Sequence, residues 1–180
     1  MISGFERRVS RDVGVAPTLS VGATPTSRLK KHKKLNPHSK DLRKGRHSEP
    51  NQIYHITTIT EDRSPVFKNF RMARNLILLL KNEQQLGRAN TLAFVVMPDH
   101  LHWLMQLTGK ADLSKIIQSV KTLSAKQFGQ PFWAAGFYDH AIRKEEDLQA
   151  IARYIVANPL RAGLVKRIGD YPHWDAQWLQ

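Results

Sequence analysis

Two hydrophobic periods alternate along residues 53–156, and their order constrains the fold more than any other feature of this sequence. Residues 53–60 are rich in β-branched side chains, and residues 92–97 are almost wholly apolar, which predicts two strands. A third strand is predicted at His100–Leu107, where one side of the alternation is apolar, and a fourth at residues 137–143. A tight turn at residues 97–99 separates the second strand from the third.

Apolar residues at helical spacing predict three helices between and after these strands. The first is expected to begin at Ser64-Pro65 and to end at Gly87, and the second to be capped by Asp112. The third opens with the acidic residues 145–147 and is ended or kinked by Asn158-Pro159. The order β-α-β-β-α-β is an α+β architecture with a ferredoxin-like antiparallel sheet, and the added C-terminal helix can dock on its open face.

The third predicted strand carries two histidines, His100 and His102. Because they are two residues apart on a strand, their imidazoles share one side. Leu101, Trp103 and Met105 take the other side, which must face the crossover helices, so the histidines are predicted to lie on the open face. They suit two ligands of one divalent metal. The alternative is two ordinary polar residues on a solvated face.

The added helix carries Tyr154 and Asn158, one helical turn apart at one edge of its apolar stripe. If that stripe packs on the open face, this edge looks toward the two histidines. Each residue also has a structural explanation. A tyrosine often buries its ring at a stripe edge and exposes its hydroxyl, and Asn158 suits an N-cap for the Pro159 turn. Arg153, Arg161, Asp139 and His140 are further candidates for the same neighbourhood.

Charge is concentrated in the first quarter of the chain. The 180 residues carry 28 Lys and Arg against 15 Asp and Glu, a net charge of +13, and residues 1–50 hold 12 of these basic residues and four acidic ones. Such a balance favours a polyanionic partner. Residues 1–45 lack hydrophobic periodicity and are expected to be disordered when free, either as a solvated tail, as a start codon placed too early, or as an arm that binds phosphates. Residues 46–180 form the predicted folded domain.

Several classes are disfavoured by composition. There is no cysteine, which excludes disulfide scaffolds, thiolate zinc sites and cysteine nucleophiles. No apolar run approaches a membrane span, and the N-terminus lacks the apolar stretch of a signal peptide. A soluble, cytoplasmic, nucleoid-associated protein is therefore expected.

Two segments resemble one family. Residues 97–102, Met-Pro-Asp-His-Leu-His, resemble the His-hydrophobic-His motif of single-tyrosine transposases. Residues 154–165, Tyr-Ile-Val-Ala-Asn-Pro-Leu-Arg-Ala-Gly-Leu-Val, resemble their tyrosine motif. The chain is most similar to the bacterial REP-associated tyrosine transposases, where REP denotes repetitive extragenic palindromes. The resemblance covers about residues 42–165.

The resemblance implies a fold, a site and a substrate. His100, His102 and Asn158 would bind Mg²⁺ or Mn²⁺, and Tyr154 would be the nucleophile that attacks a DNA phosphodiester, leaving a 5′-phosphotyrosyl enzyme and a free 3′-OH. The substrate would be single-stranded DNA beside imperfect palindromic hairpins. Arg43, Lys44 and Arg46 would contact the foot of the hairpin. The enzyme would act as a monomer or a homodimer.

Other functions compete with this strand-transfer enzyme. One is a catalytically silent, host-retained protein that binds single-stranded nucleic acid on the same fold, although intact His100, His102, Tyr154 and Asn158 argue against such a loss. Another is a metal-binding regulator without nucleic acid, which the net charge disfavours. Plasmid relaxases and rolling-circle initiators share the histidine pair, but they usually have longer chains.

Overall fold

The fold is known from a computed structural model, which describes residues 48–178. Along the chain, the strands and helices are β1 (Ile53–Ile59), α1 (Phe70–Gln85), β2 (Ala89–Met97), β3 (His100–Leu107), α2 (Leu113–Phe128), β4 (Tyr138–Ala141), α3 (Leu148–Val156), α4 (Asn158–Arg161) and β5 (Trp174–Ala176). The strands form one antiparallel sheet in the order β4-β1-β3-β2-β5. The predicted ferredoxin-like arrangement is confirmed, with β1 and β3 adjacent within the sheet and β3 at its centre.

One face of the sheet is covered by α1 and α2. Its core contains the β3 residues Leu101, Trp103, Met105 and Leu107, together with apolar side chains of both helices. Trp103 is fully buried, and its indole N–H donates to Thr91 Oγ1 at 3.1 Å, so its one polar atom is satisfied. The alternation along β3 therefore sorts its side chains between faces as predicted.

Within the described residues, 48–178, the other face is covered only in part. Helix α3 buries Ala152, Ile155 and Val156 in a second core with side chains of β2, with Leu104 of β3 and with Ile142. Helix α3 contacts β2, β3 and β5, and α4 contacts β2. The added helix thus docks on the predicted face, over the β2 and β5 side of the sheet.

Several elements differ from the sequence predictions, and β2 begins at Ala89 rather than at residue 92. Helix α1 begins at Phe70 rather than at Ser64-Pro65, because the preceding residues form short 3₁₀ turns that bury Phe67, whose amide donates to Pro98 O at 2.9 Å. Asn69 then caps α1 by accepting from Arg71 N and Met72 N. Strand β4 spans only Tyr138–Ala141, and β5 is an edge strand that the pattern did not predict.

No helix among residues 48–178 is both long enough and apolar enough to cross a bilayer. The predicted basic arm, residues 1–45, lies outside the described residues.

Candidate active site

His100 and His102 lie on the partly covered face of β3, as predicted. Their ring centroids are 4.9 Å apart and the ring planes are nearly perpendicular, at 88°. Ile59 and Met97 are the cross-strand neighbours of His100, and Thr57 and Val95 are those of His102. The two imidazoles therefore project from the middle strand of a five-stranded sheet, which is a rigid platform for a binding site.

The ring of His100 is held by the residue before it. Asp99 Oδ1 lies 2.5 Å from His100 Nδ1, and Asp99 Oδ2 accepts from Arg63 Nη1 at 3.2 Å. Partial burial raises the pKa of Asp99, but the hydrogen bond and charge of His100, together with Arg63, outweigh this and hold the pKa below its usual value. An ionised carboxylate only accepts, so His100 Nδ1 carries the proton and its Nε2 is left for a ligand.

The ring of His102 is held from the neighbouring strand. Thr57 Oγ1 lies 2.9 Å and His55 Nε2 lies 3.2 Å from the same atom, His102 Nδ1. Burial is the main cause that lowers the pKa of His102 to about 3, and the charges of His100, His55, Arg161 and Arg63 act in the same direction. His102 is therefore neutral at neutral pH, which is the form in which an imidazole binds a metal.

Tyr154 lies on α3 with 57% of its surface exposed, while its neighbours Ile155 and Val156 are buried in the second core. The guanidinium of Arg161 lies over the Tyr154 ring, 3.7 Å from its centroid, and Arg161 Nη2 donates to Tyr154 O at 2.8 Å. Arg161 is thus in contact with the Tyr154 ring and is one of the charges that lower the pKa of His102.

Asn158 begins α4, and Ala157 alone separates it from the end of α3. Its Nδ2 donates to Ile155 O at 2.8 Å and to Tyr154 O at 3.3 Å, so the side chain satisfies terminal carbonyls of α3. The N-cap residue of α4 is Ala157, so the predicted alternative role of Asn158, an N-cap for the Pro159 turn, is not what the structure has. Because the amide nitrogen is used in this way, Oδ1 is the atom that could bind a cation.

The other candidates have separate partners. Arg153 pairs with Asp147 at 3.7 Å, and His140 Nε2 lies 3.0 Å from Glu146 Oε2 near the surface. Asp139 takes the side of β4 opposite to His140, because it lies across from Ile56 in the β1–β4 register. The predicted DNA contacts Arg43, Lys44 and Arg46 lie outside the described residues.

The sequence pattern predicts no role in the site for His55, Thr57 or Asp99. Alternation along β1 places His55 and Thr57 on one face, but only the register between β1 and β3 brings them to His102. For Asp99 the sequence predicts a place in a turn, and it does not predict the contact with His100.

If His100, His102 and Asn158 hold a metal together, their donor atoms suit a hard or borderline divalent cation. Among residues 48–178 there is no group of three or more His, Cys, Asp or Glu arranged to hold a metal. The candidates are therefore two imidazoles and one amide oxygen, from His100, His102 and Asn158. Such a set leaves coordination positions open for water or substrate oxygens, which suits Mg²⁺ or Mn²⁺ better than a closed structural zinc site.

The comparisons with known proteins agree with the two motifs. A family model described as "Transposase IS200 like" matches residues 48–158. The chain is 30% identical over 105 residues to the REP-associated tyrosine transposase of Escherichia coli (strain K12), and the match covers 57% of this chain and 62% of that protein. A protein assigned provisionally to the same class, from Haemophilus influenzae (strain ATCC 51907 / DSM 11121 / KW20 / Rd), is 28% identical over 142 residues, 67% of this chain and 77% of its own length.

A solved structure adds a comparison in three dimensions. It is of a REP-associated tyrosine transposase bound to a REP hairpin, and it matches with a TM-score of 0.60 and 26% identity over 72% of this chain and 79% of that one. This chain spans somewhat less than two thirds of the Escherichia coli relative. Because the family model covers more than half of its residues, the chain belongs to the IS200-like transposase family, and it is similar to the REP-associated tyrosine transposases, as its histidine and tyrosine motifs predicted.

Proposed function

We propose that this protein is a divalent-cation-dependent endonuclease and strand transferase that acts on single-stranded DNA beside REP-type hairpins through Tyr154. One observation carries the proposal: His100 and His102 lie side by side on one face of β3 with ring centroids 4.9 Å apart, and Arg161, which contacts the Tyr154 ring, is among the charges that lower the pKa of His102. Family membership supports the reaction class. The hairpin substrate is supported by the relative whose structure was solved with a REP hairpin.

The reaction balances without an external energy source. The Tyr154 phenol oxygen attacks the phosphorus of a DNA phosphodiester, and the bond from phosphorus to the 3′ oxygen breaks. The phenol proton leaves to solvent, and the departing 3′ oxygen takes up a proton to become a 3′-OH. The new phosphotyrosyl bond replaces the cleaved ester, so a second 3′-OH can reverse the step and join a different strand.

The chain's own residues supply orientation and positive charge. His100, His102 and Asn158 Oδ1 would hold the cation, which when bound would polarise a non-bridging phosphate oxygen. A typical tyrosine is only ~0.1% phenolate at pH 7, a barrier contribution of roughly 4 kcal/mol, so stabilisation of developing negative charge matters. Arg161 is placed to provide it, because its guanidinium lies 3.7 Å from the Tyr154 ring centroid.

The DNA-binding part of the proposal rests on charge. Arg43, Lys44 and Arg46 are proposed to contact phosphates at the foot of the hairpin. The net charge of +13 predicts affinity that falls steeply with salt. A single chain or a symmetric pair would each be compatible with this chemistry, and sedimentation of the protein with its oligonucleotide would distinguish them.

The test is cleavage of a hairpin-bearing single-stranded oligonucleotide in the presence of Mn²⁺. We expect a covalent protein–DNA adduct that disappears with Tyr154→Phe. Tyr138→Phe is the matched control, because Tyr138 is 53% exposed and comparable in exposure to Tyr154, at 57%. Tyr138→Phe should cleave like the unmodified protein, and cleavage with adduct formation that survives Tyr154→Phe would reject Tyr154 as the nucleophile.

A second arm separates catalysis from binding. His102→Ala should abolish cleavage and leave most of the hairpin affinity, because phosphate contacts dominate binding. If the unmodified protein binds the hairpin tightly and never cleaves with Mn²⁺ or Mg²⁺, it is instead the catalytically silent binding protein considered from the sequence.

A further inference from the structure

Two side chains of β1 converge on one nitrogen of the neighbouring strand. Thr57 Oγ1 and His55 Nε2 lie 2.9 Å and 3.2 Å from His102 Nδ1. The rings of His55 and His102 also pack together, with centroids 5.3 Å apart and planes tilted by 41°. The β1 side of His102 is therefore occupied by polar contacts, whereas its cross-strand neighbour on β2 is the apolar Val95.

The sheet register explains why both side chains reach the same atom. Thr57 is the direct cross-strand neighbour of His102, and His55 lies opposite Leu104, so it approaches His102 on the diagonal. All three side chains share one face, because residues two apart on a strand point the same way. This placement belongs to two paired strands of the sheet and does not depend on a loop.

The two histidines of the motif are held in parallel ways. His100 Nδ1 is bound by the Asp99 carboxylate, which fixes the proton on that nitrogen. At His102 the partners are uncharged or titratable, a hydroxyl and an imidazole, and either can accept a hydrogen bond. If His102 Nδ1–H is the donor, its one hydrogen is shared between these two acceptors, and His102 Nε2 is a bare lone pair like Nε2 of His100. With the opposite tautomer, Nε2 would carry hydrogen and could not bind a cation.

We propose that His55 and Thr57 are positioning residues, which hold His102 with its proton on Nδ1 and present its Nε2 to a divalent cation. The inference rests on the proposed function, since it concerns the same cation. It assigns to β1 the task that Asp99 performs for His100. In this arrangement Nε2 of His55, which lies 3.2 Å from His102 Nδ1, accepts the hydrogen bond, so the proton of a neutral His55 ring lies on Nδ1.

A third histidine lies beside His55 on the next strand. His140 of β4 lies directly across from His55 in the β1–β4 register, and His140 Nε2 lies 3.1 Å and 3.0 Å from the two carboxylate oxygens of Glu146. The row from Glu146 through His140 and His55 to His102 crosses three strands. Its inner members are less exposed than His140, so the hydrogen bond at His102 is the one shielded most from competing water.

The first experiment reads the tautomer directly. The full-length protein, labelled with ¹⁵N in histidine and free of metal, is studied by NMR, and His102 is assigned from the signal lost in His102→Gln. We expect a protonated Nδ1 and a bare Nε2 in the unmodified protein, and a mixture of tautomers in the double variant His55→Phe with Thr57→Val. A His102 that carries its proton on Nε2 in the unmodified protein would overturn the inference, whether or not the protein cleaves DNA.

The second experiment measures the affinity for Mn²⁺ itself, by electron paramagnetic resonance of the free ion. The double variant keeps the bulk of both side chains and removes their acceptor atoms, so we expect Mn²⁺ binding to weaken about 10–100-fold. His55→Gln and Thr57→Ser each keep an acceptor and should stay within about threefold of the unmodified protein. Thermal unfolding of every variant reports whether the fold is retained, and recovery of affinity in these conservative variants would exclude general damage.

The outcomes separate the two proposals. An unmodified protein that binds Mn²⁺ and cleaves DNA, with a double variant of equal Mn²⁺ affinity, would reject the positioning role and leave the proposed function intact. Failure of the unmodified protein to form a covalent adduct would reject the proposed function, and the NMR measurement of the His102 tautomer would still decide this inference.

Discussion

The two faces of the sheet differ in which side chains they carry and in how far helices cover them. On the face under α1 and α2, β3 contributes Leu101, Trp103, Met105 and Leu107 to a continuous apolar core. On the other face, within residues 48–178, α3 covers mainly the β2 and β5 side and reaches Leu104 of β3 and Ile142. The rest of this face of the sheet carries His55, Thr57 and His102, and His140 lies exposed on the edge strand β4. Neighbouring residues of β3 therefore have different roles. Those on one face pack in the apolar core, and those on the other face form the candidate site.

This difference explains how a small domain carries polar chemistry at its centre. Hydrophobic burial on the helix-covered face supplies the stability, so the half-open face can hold imidazoles, hydroxyls and a carboxylate without a full apolar cover. Partial burial on that face also removes competing water from the hydrogen bonds of His102. Substitutions on the helix-covered face should therefore change mainly the free energy of unfolding, and substitutions on the histidine face mainly the properties of the candidate site.

The largest expected effect sharpens the contrast between neighbours on β3. Trp103→Ala should lower the free energy of unfolding by about 3–5 kcal/mol, because it empties a fully buried site. His102→Ala should cost about 1 kcal/mol, because it removes hydrogen bonds on a half-buried residue. Urea unfolding of both variants measures this. Equal losses would show that the histidine face supports the fold as strongly as the helix-covered face.

A second effect is expected from acid, and it falls on the histidines. Burial lowers the pKa of His55 and His173, and of His102 to about 3, while unfolded histidines titrate near 6.5. Below pH 6.5 the unfolded chain binds more protons than the folded one. The free energy of unfolding should therefore decrease as the pH is lowered, by up to about 1.4 kcal/mol per pH unit for each group.

Chemical unfolding with EDTA at pH 7.0, 6.0 and 5.0 tests this sign. The full stabilisation is present above pH 6.5 and is lost progressively toward pH 3. His102→Gln should make the pH dependence shallower by about one proton. A stability that stays constant or rises between pH 7 and pH 5 would contradict the assignment of these histidines as neutral in the fold.

The smallest effect compares two helix starts. Asp147, the N-cap of α3, accepts from Gln149 N and Ala150 N, whereas Asp112 at the same position of α2 makes no capping hydrogen bond. Asp147→Ala should therefore cost about 1 kcal/mol, and Asp112→Ala less than about 0.5 kcal/mol. Thermal unfolding of the two variants measures the difference. If Asp112→Ala cost as much as Asp147→Ala, the difference in capping would have no energetic consequence.

Short-range pattern was enough for much of this architecture. The alternation in His100–Leu107 assigned both histidines to one face, and the apolar stripe of α3 placed Tyr154 at its edge, as the structure has them. These features follow from the periods of strands and helices, which a single segment displays. The ferredoxin-like order followed from the sequence of periods alone.

Long-range contacts account for what the sequence did not predict. His55 meets His102 across 47 residues, so the pairing of the strands had to be known first. Helix α1 begins at Phe70 and not at the predicted Ser64-Pro65, because the backbone amide of Phe67 donates a hydrogen bond to Pro98 O. Strand β5 has only three residues, too few to show a period, and it forms by pairing with β2.

The central claim is that Tyr154 forms the covalent bond with DNA. It is tested most directly by trapping the adduct with a hairpin-bearing oligonucleotide and Mn²⁺, digesting the protein, and locating the linked residue by mass spectrometry. The account predicts a 5′-phosphate linked to the peptide that contains Tyr154, with Tyr138 unmodified. A DNA link on any other residue, or cleaved DNA without a link to the protein, would contradict it.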